Sequence, residues 1–446
     1  MIQRQLLIGL LFSLLTCPAF AAPAPNWDEI LSPSQGKLPD PLPDIIWRTD
    51  LQKALAESQQ TNRPLFVTLR CLPCKQCSAF DKNVLEGGPL LAPLLSQFIT
   101  VRLTDAKAID FRLLPAETFQ DFDISWWGYF LSPQGRVYAI FGGKDHVSDA
   151  TRISPQALAN TMKRVLAHHY DPRRENWNID GSAPDLTGEP RIVTQFAGFD
   201  SWKSHGGGEV QKATCIHCHQ VSEIIRQPAI DAGTFDKVRD TQIWPLPENV
   251  GIVLDRDDGL LVKSVEAISP AAAAGIKAGD SLAVAGDRRL FGQADFRGVL
   301  HRGPQGAGTI PLMWIREGKI MSGNLAVSEG WRKTILYWRM SLSQGNIGHG
   351  PGFFPLEMSL AERKRFNIAD DAMHVKPFIY KDSAPTKAGL KANQMITAVN
   401  GQSPNVAGRG FEWWFRSNFN PGDEITLTVQ EAPGKSKEIN FILPKE

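Results

Sequence analysis

Two tight cysteine clusters constrain this chain more than any other feature. Cys71, Cys74 and Cys77 fall within one short stretch, Cys215 and Cys218 within another, and Cys17 stands alone near the start. Exported folds stapled by disulfides spread their cysteines along the chain. Clusters this compact read instead as two chemical sites on a fold held by its own core. Length supports such a core: 446 residues suffice for about three domains.

The second cluster reads Cys215-Ile216-His217-Cys218-His219. In an exported protein, C-x-x-C-H is the attachment signature of a c-type haem: both thiols add across the vinyl groups and the histidine becomes an axial iron ligand. Haem c is therefore the expected cofactor, with His219 on the iron. Copper or zinc is the rival, since Cys215, His217, Cys218 and His219 are all soft-metal donors. A plain disulfide is the third reading. No companion C-x-x-C or H-x-x-x-H pair lies nearby, as a structural zinc site would require. No methionine lies between Met162 and Met313. His205 is thus the nearest candidate sixth ligand, with His168, His169 and His301 behind it, and a five-coordinate iron remains open.

Export is read from the first residues. Arg4 supplies a positive start, residues 6–15 are apolar, and Ala19-Phe20-Ala21 fits a small-x-small cleavage site. Residues 1–21 are expected to be a signal peptide and the protein periplasmic or otherwise exported. A lipid anchor on Cys17 is the alternative, disfavoured by Thr16 before it. No later run is apolar and long enough for a membrane helix. The 48 basic and 47 acidic side chains leave a net charge of +1, without the basic excess of a nucleic-acid binder.

After a Pro-rich spacer, residues 22–43, the pattern predicts a helix over 51–59, a buried strand over 64–69, then the first cysteine cluster with helical pattern after it. A strand over 98–103, a hairpin around Ser132-Pro133-Gln134-Gly135 and a helix over 154–168 follow. A strand leading into C-x-x-C at a helix start resembles the thioredoxin fold, across most of residues 44–170. That placement has a physical basis, because a helix N-terminus stabilises the attacking thiolate. The resemblance implies Cys74 as nucleophile and Cys77 as resolving thiol, with Cys71 auxiliary. Cys74-Lys75-Gln76-Cys77-Ser78-Ala79-Phe80 is similar to the thioredoxin domains of bacterial periplasmic disulfide reductases. One departure is that Ile124-Ser125-Trp126-Trp127-Gly128 lacks the cis-proline such domains place opposite their cysteines, which leaves room for a metal.

Residues 171–189 are rich in Pro, Gly, Asp and Asn and read as a linker, and 190–247 carry the C-x-x-C-H. The remainder repeats itself. Ser269-Pro270-Ala271-Ala272-Ala273-Ala274-Gly275-Ile276-Lys277-Ala278-Gly279-Asp280 is echoed by Ser383-Ala384-Pro385-Thr386-Lys387-Ala388-Gly389-Leu390-Lys391-Ala392-Asn393-Gln394. Each copy resembles the short helix and following strand of bacterial PDZ domains, here 248–328 and 329–446. The resemblance implies that protein or peptide termini bind by strand addition, carboxylate in a nest at Asn249, Val250, Gly251 and Ile252, beside a helix near 294–300. In the second copy, Gly352-Phe353-Phe354-Pro355 and a helix over 411–415 take those places. No G-x-S-G-G or H-E-x-x-H marks a protease.

The order, with Trp244-Pro245-Leu246-Pro247-Glu248-Asn249-Val250-Gly251 between the parts, resembles a bacterial family of thioredoxin-like/PDZ fusion proteins, some of them selenoproteins. The expectation is a multidomain α/β plus α+β protein: an exported redox protein, acting as thiol-disulfide oxidoreductase or electron carrier, with a redox partner protein selected through the PDZ modules. A non-catalytic peptide-binding adaptor whose clusters hold metal or disulfides is the alternative.

Overall fold

The computed structural model describes residues 24–69, 85, 86, 88–115, 121, 127–142, 154–206, 216–237, 239–333, 341 and 347–445. Cys71, Cys74, Cys77 and Cys215 lie outside them, as do residues 1–21 and 122–126.

The N-terminal unit is built on a four-stranded sheet. Its strands β1 (Leu65–Leu69), β2 (Ile99–Leu103), β3 (Trp127–Leu131) and β4 (Val137–Gly142) run in the order β2-β1-β3-β4. β1 is parallel to β2 and antiparallel to β3. Both faces of β1 are covered, so it reads as an unbroken apolar run. Leu65, Val67 and Leu69 face one core, together with Leu51, Ala54 and Leu55 of α1 (Leu51–Thr61). Phe66 faces the other, stacked on Phe130 at 4.9 Å, with Met162 and Val165 of α2 (Pro155–His169). Asp50 and Ser154 cap the two helices through their side chains. The helices, strands and hairpin fall where periodicity placed them, within one or two residues.

The stretch expected to be a linker is packed down. Trp177 is buried, its indole donating to Glu29 of the spacer at 3.1 Å. Arg112 donates to the carbonyls of Thr187 and Gly188. A few apolar and charged anchors suffice to fix chain that has no periodicity of its own.

Residues 190–247 do not form a separate core. Helices α3 (Phe199–Gly206) and α4 (Cys218–Asp231) pack on each other. Val193, Phe196, Trp202, Ile216, Cys218, Val221, Ile224 and Trp244 belong to the same apolar cluster as α1 and the odd-numbered face of β1.

Two similar units follow. In the first, β5 (Ile252–Leu254) and β6 (Val262–Val265) pair, and β7 (Ser281–Ala285), β8 (Arg288–Arg289), β9 (Gly308–Arg316) and β10 (Lys319–Val327) form a sheet ordered β10-β9-β7-β8, with α5 (Gln293–Arg302) alongside. In the second, β11 (Phe353–Glu357), β12 (Val375–Ile379), β13 (Met395–Val399), β14 (Glu424–Ala432) and β15 (Lys435–Ile442) follow in that order, with α6 (Gly408–Asn418). The sequence repeat is structural: Gly275 and Gly389 both turn with positive φ, and Ile276 and Leu390 are both buried after them.

Candidate functional site

The C-terminal edge of the N-terminal sheet is where the two cysteine clusters lead. β1 ends at Leu69, paired in register with Leu103, the end of β2. Cys71 follows Leu69 by two residues in the chain. Beyond β2, Asp105 caps a short turn over Ala106–Ala108. Its carboxylate also accepts the Ile216 amide at 3.1 Å, and the Ala106 amide donates to the Ile216 carbonyl at 3.3 Å. Ile216 immediately follows Cys215 in the chain. The two neighbouring strand ends therefore serve the two clusters, one leading into the first and the other anchoring the second.

Cys218 opens α4 and is 6% exposed, packed among the apolar residues of that shared core. His219 follows on the first turn. Its Nδ1 lies 2.9 Å from Oε1 of Glu223, one turn along the helix. The other oxygen of Glu223 accepts the Trp202 indole N–H at 2.9 Å, so α3 fixes the carboxylate that fixes the imidazole. With Nδ1 engaged, Nε2 is the nitrogen left for a metal, the usual carboxylate–histidine arrangement behind a ligand. His217 stacks nearly parallel to His219 at 5.8 Å, and burial, then the neighbouring His219, lowers its pKa. Two imidazoles at a helix start suit a metal-binding role.

Of the remaining histidines, His205 lies on α3, which packs against the helix bearing His219, and its side chain falls outside the described residues. His301 is committed elsewhere, stacked on Trp244 at 4.4 Å with its Nδ1 accepting the Trp244 amide at 3.4 Å. His168 and His169 are buried on the other side of the sheet. His168 Nδ1 accepts from Arg289 and its Nε2 donates to Asp180. His169 Nε2 donates to the Asn62 carbonyl, leaving Nδ1 to accept from Tyr138, whose oxygen in turn accepts from Arg174. Burial pushes the pKa of both histidines down, that of His169 to about 4.

Among the described residues no three His, Cys, Asp or Glu side chains gather as a metal site, and no helix is long and apolar enough to cross a membrane. A thioredoxin-like family model matches residues 46–116. Residues 46–116 are a thioredoxin-like domain. No curated protein matches the chain. The match spans α1, β1, the first cysteine cluster and β2, so the sheet edge described above belongs to the thioredoxin-like domain.

In the first C-terminal unit the nest residues are bonded within the protein. The Gly251 amide donates to Glu248, and the Asn249 side chain donates to the carbonyls of Trp331 and Lys333. Val250 and Ile252 are wholly buried. Glu248 beside them has its carboxyl pushed up by burial, an acidic neighbour that a peptide carboxylate would oppose. The strand that follows the second copy's loop is more open: Phe354 and Leu356 of β11 are exposed, as are Phe378 of β12 and Tyr380 just after it. Gly352 precedes β11 with φ +79°, as Gly251 precedes β5 with φ +81°. A Cβ on either glycine would strike the capping serine or proline of the repeat helix, Ser269 or Pro385.

One device was not foreseen from the sequence. The outer edge of β4 is closed by side chains of the first unit. Asp295 of α5 accepts the Ile140 amide at 3.0 Å, and Arg288 donates to the carbonyls of Val137 and Tyr138. An Asp three residues into a helix is a sequence signal, but it points ordinarily to the helix's own N-terminus.

Proposed function

We propose that this chain is an exported thiol-redox protein. Cys74 and Cys77 would form the exchanging dithiol, with Cys71 auxiliary. Cys215 and Cys218 would carry a c-type haem whose iron His219 ligates, His205 being the candidate for the sixth position. The two C-terminal units would be PDZ modules that select a redox partner by its terminus. The openness of β11 favours the second unit for that task over the nest at Asn249, Val250, Gly251 and Ile252.

The observation that carries this reading is the bond set joining Asp105 and Ala106 to Ile216 at the edge into which the thioredoxin-like domain's own cysteines lead. A c-type haem supplies a one-electron centre. Oxidising a dithiol to a disulfide releases two electrons and two protons, so coupling takes two successive transfers or a second acceptor. The chain's residues do the positioning: Glu223 orients His219, Trp202 orients Glu223, and Asp105 fixes the turn that opens α4.

A pyridine haemochrome spectrum of the periplasmically expressed protein, with metal analysis, tests the central claim. Covalent haem with one iron per chain is expected, and Cys218→Ser should abolish it. Copper or zinc without haem would favour the adaptor reading, to which the parallel pair of His217 and His219 lends its donors. Separately, Cys74→Ser should remove disulfide-reductase activity, and unchanged activity would discard the dithiol whatever the haem result.

A further inference from the structure

His219 is held by a carboxylate, where a backbone carbonyl or a water would suffice to orient it. Its Nδ1 lies 2.9 Å from Oε1 of Glu223, and the other oxygen of Glu223 accepts the Trp202 indole N–H at 2.9 Å. We infer that Glu223 is a positioning residue with an electronic task beyond orientation: its charge, kept in place by Trp202, lowers the reduction potential of the centre that His219 ligates. The inference rests on the haem reading above and says which way that centre is poised.

The spacing fixes the pair, since residues four apart share a helix face and α4 carries both. The setting makes the charge felt. The side chain of Glu223 is 14% exposed and that of His219 25%, and Trp202 is buried in the shared core. Water screens a carboxylate weakly there. Neither partner of Glu223 is a fixed cation: one is an indole, and an imidazole that ligates through Nε2 carries a single proton, on Nδ1. The one arginine of α4, Arg226, donates to the Ser341 carbonyl. An anion that pulls on the Nδ1 proton makes the imidazole a more basic ligand. Ferric iron carries one positive charge more than ferrous iron, so a basic ligand and a nearby anion both favour the ferric form. Hydrogen bonds behind the axial ligand are among a protein's levers on haem potential. Enclosing a carboxylate costs desolvation that a neutral partner would avoid, which sets Glu223 apart from a group that only orients.

Spectroelectrochemical titration of the full mature protein, expressed in a periplasm, tests this, with haem loading measured by pyridine haemochrome. Glu223→Gln should raise the midpoint by about 59 mV or more, a tenfold change in the ferrous-to-ferric ratio at a fixed potential. Trp202→Phe keeps the carboxylate and should change that ratio by less than about threefold. In Glu223→Gln one amide N–H faces a donor, the indole or the imidazole. The double variant Trp202→Phe/Glu223→Gln relieves that clash, should keep the raised midpoint, and carries the test if the single variant loads poorly. Glu431→Gln, on β14 of the second unit, should leave the midpoint where it is. Full loading with an unshifted midpoint in the Gln variants, or an equal shift from Trp202→Phe, would overturn the inference and leave the haem reading standing. A parent without haem overturns both.

Discussion

The two C-terminal units share a plan and differ in what surrounds it. In the first, α5 is closed in. Phe296, Val299 and Leu300 face its own core, while Ala294 and Arg297 meet the thioredoxin-like domain, Arg297 pairing with buried Asp121 at 2.9 Å. In the second, α6 buries Phe411 and Phe415 beneath a sheet whose leading strands keep Phe354 and Phe378 exposed. One fold has become a clamp and the other has kept an open face. The decisive position is the third residue of the helix, Asp295 in α5 and Gly410 in α6. Asp295 reaches across to β4, whereas α6 meets the shared core through Trp413.

The largest break in that contrast should come from Asp295→Asn. The carboxylate accepts three amides, of Ile140, Phe291 and Gly292, with Arg288 4.0 Å away. Its full burial raises the pKa, and Arg288 and those donors oppose the rise. An amide nitrogen in place of one oxygen turns a donor toward donors and removes the carboxylate charge beside Arg288. A loss of about 3–5 kcal/mol is expected, by analogy with other broken buried pairs. Urea denaturation of the full chain measures it. A loss below about 1 kcal/mol would show that the clamp is not what holds the units together.

Acidification should loosen the first unit and spare the second. His168 is bonded by Arg289 of the first unit, and His169 shares its network through Tyr138 and Arg174. The folded pKa of His169 is lowered from 6.5 to about 4, by burial first. Below pH 6.5 the unfolded chain takes up a proton that the folded chain refuses. Stability is therefore whole above that pH, falls as pH drops, and levels off near pH 4. The sum for His169 is about 3 kcal/mol, with His168 adding in the same direction. Melts between pH 7 and 4 should show the decline, and His169→Gln should flatten it.

Much of the clamp's machinery could not be read from the sequence. Strands and helices of the thioredoxin-like domain were legible because alternating and 3.6-residue patterns survive wherever each face has one kind of neighbour. β1, buried on both faces, was legible through its apolar run. The repeat was legible because Gly275 and Gly389 sit where only glycine turns easily. The packing of 171–189 and the merging of 190–247 into the sheet's core were not, since isolated anchors such as Trp177 and Trp244 carry no period. Trp244 even adopts φ +53°, rare for a bulky residue, held by His301 at its amide and Arg297 at its carbonyl. At the candidate site the C-x-x-C-H was visible. Its support from Glu223 was within reach, four residues after His219 on one helix face. Asp105, more than a hundred residues away, was not.

A smaller effect sharpens the comparison within the repeat. Asp280 closes the first copy by accepting the Lys277 amide at 2.7 Å and gripping Arg316 with both oxygens. Gln394 does the same in the second copy, accepting the Lys391 amide at 2.9 Å, and its Nε2 donates to Glu431. The departure from Asp to Gln is thus matched by a change of partner from cation to anion. Asp280→Ala should cost about 2 kcal/mol and Gln394→Ala about 1, as charged and neutral hydrogen bonds differ. Adding 0.5 M salt should narrow that gap. Gln394→Asp should be worse than Gln394→Ala, because it sets a carboxylate against Glu431.

The smallest stability change is expected where the second unit is most open. Phe378 is 59% exposed on β12 and Phe354 is 41% exposed on β11, directly paired in register. Aromatic side chains left in water contribute little to folding, so Phe378→Ser should shift stability by no more than about 0.5 kcal/mol. Exposed aromatics on adjacent strands are costly to solubility and are retained where something covers them. If the open face takes a protein terminus, immobilised random carboxy-terminal peptides should bind the parent and lose affinity to Phe354→Ser and Phe378→Ser. Val253→Ser, at the matching strand of the clamped unit, should leave that binding unchanged. Equal losses from both strands would return the first unit to the role of a ligand-binding module and erase the difference on which the comparison stands.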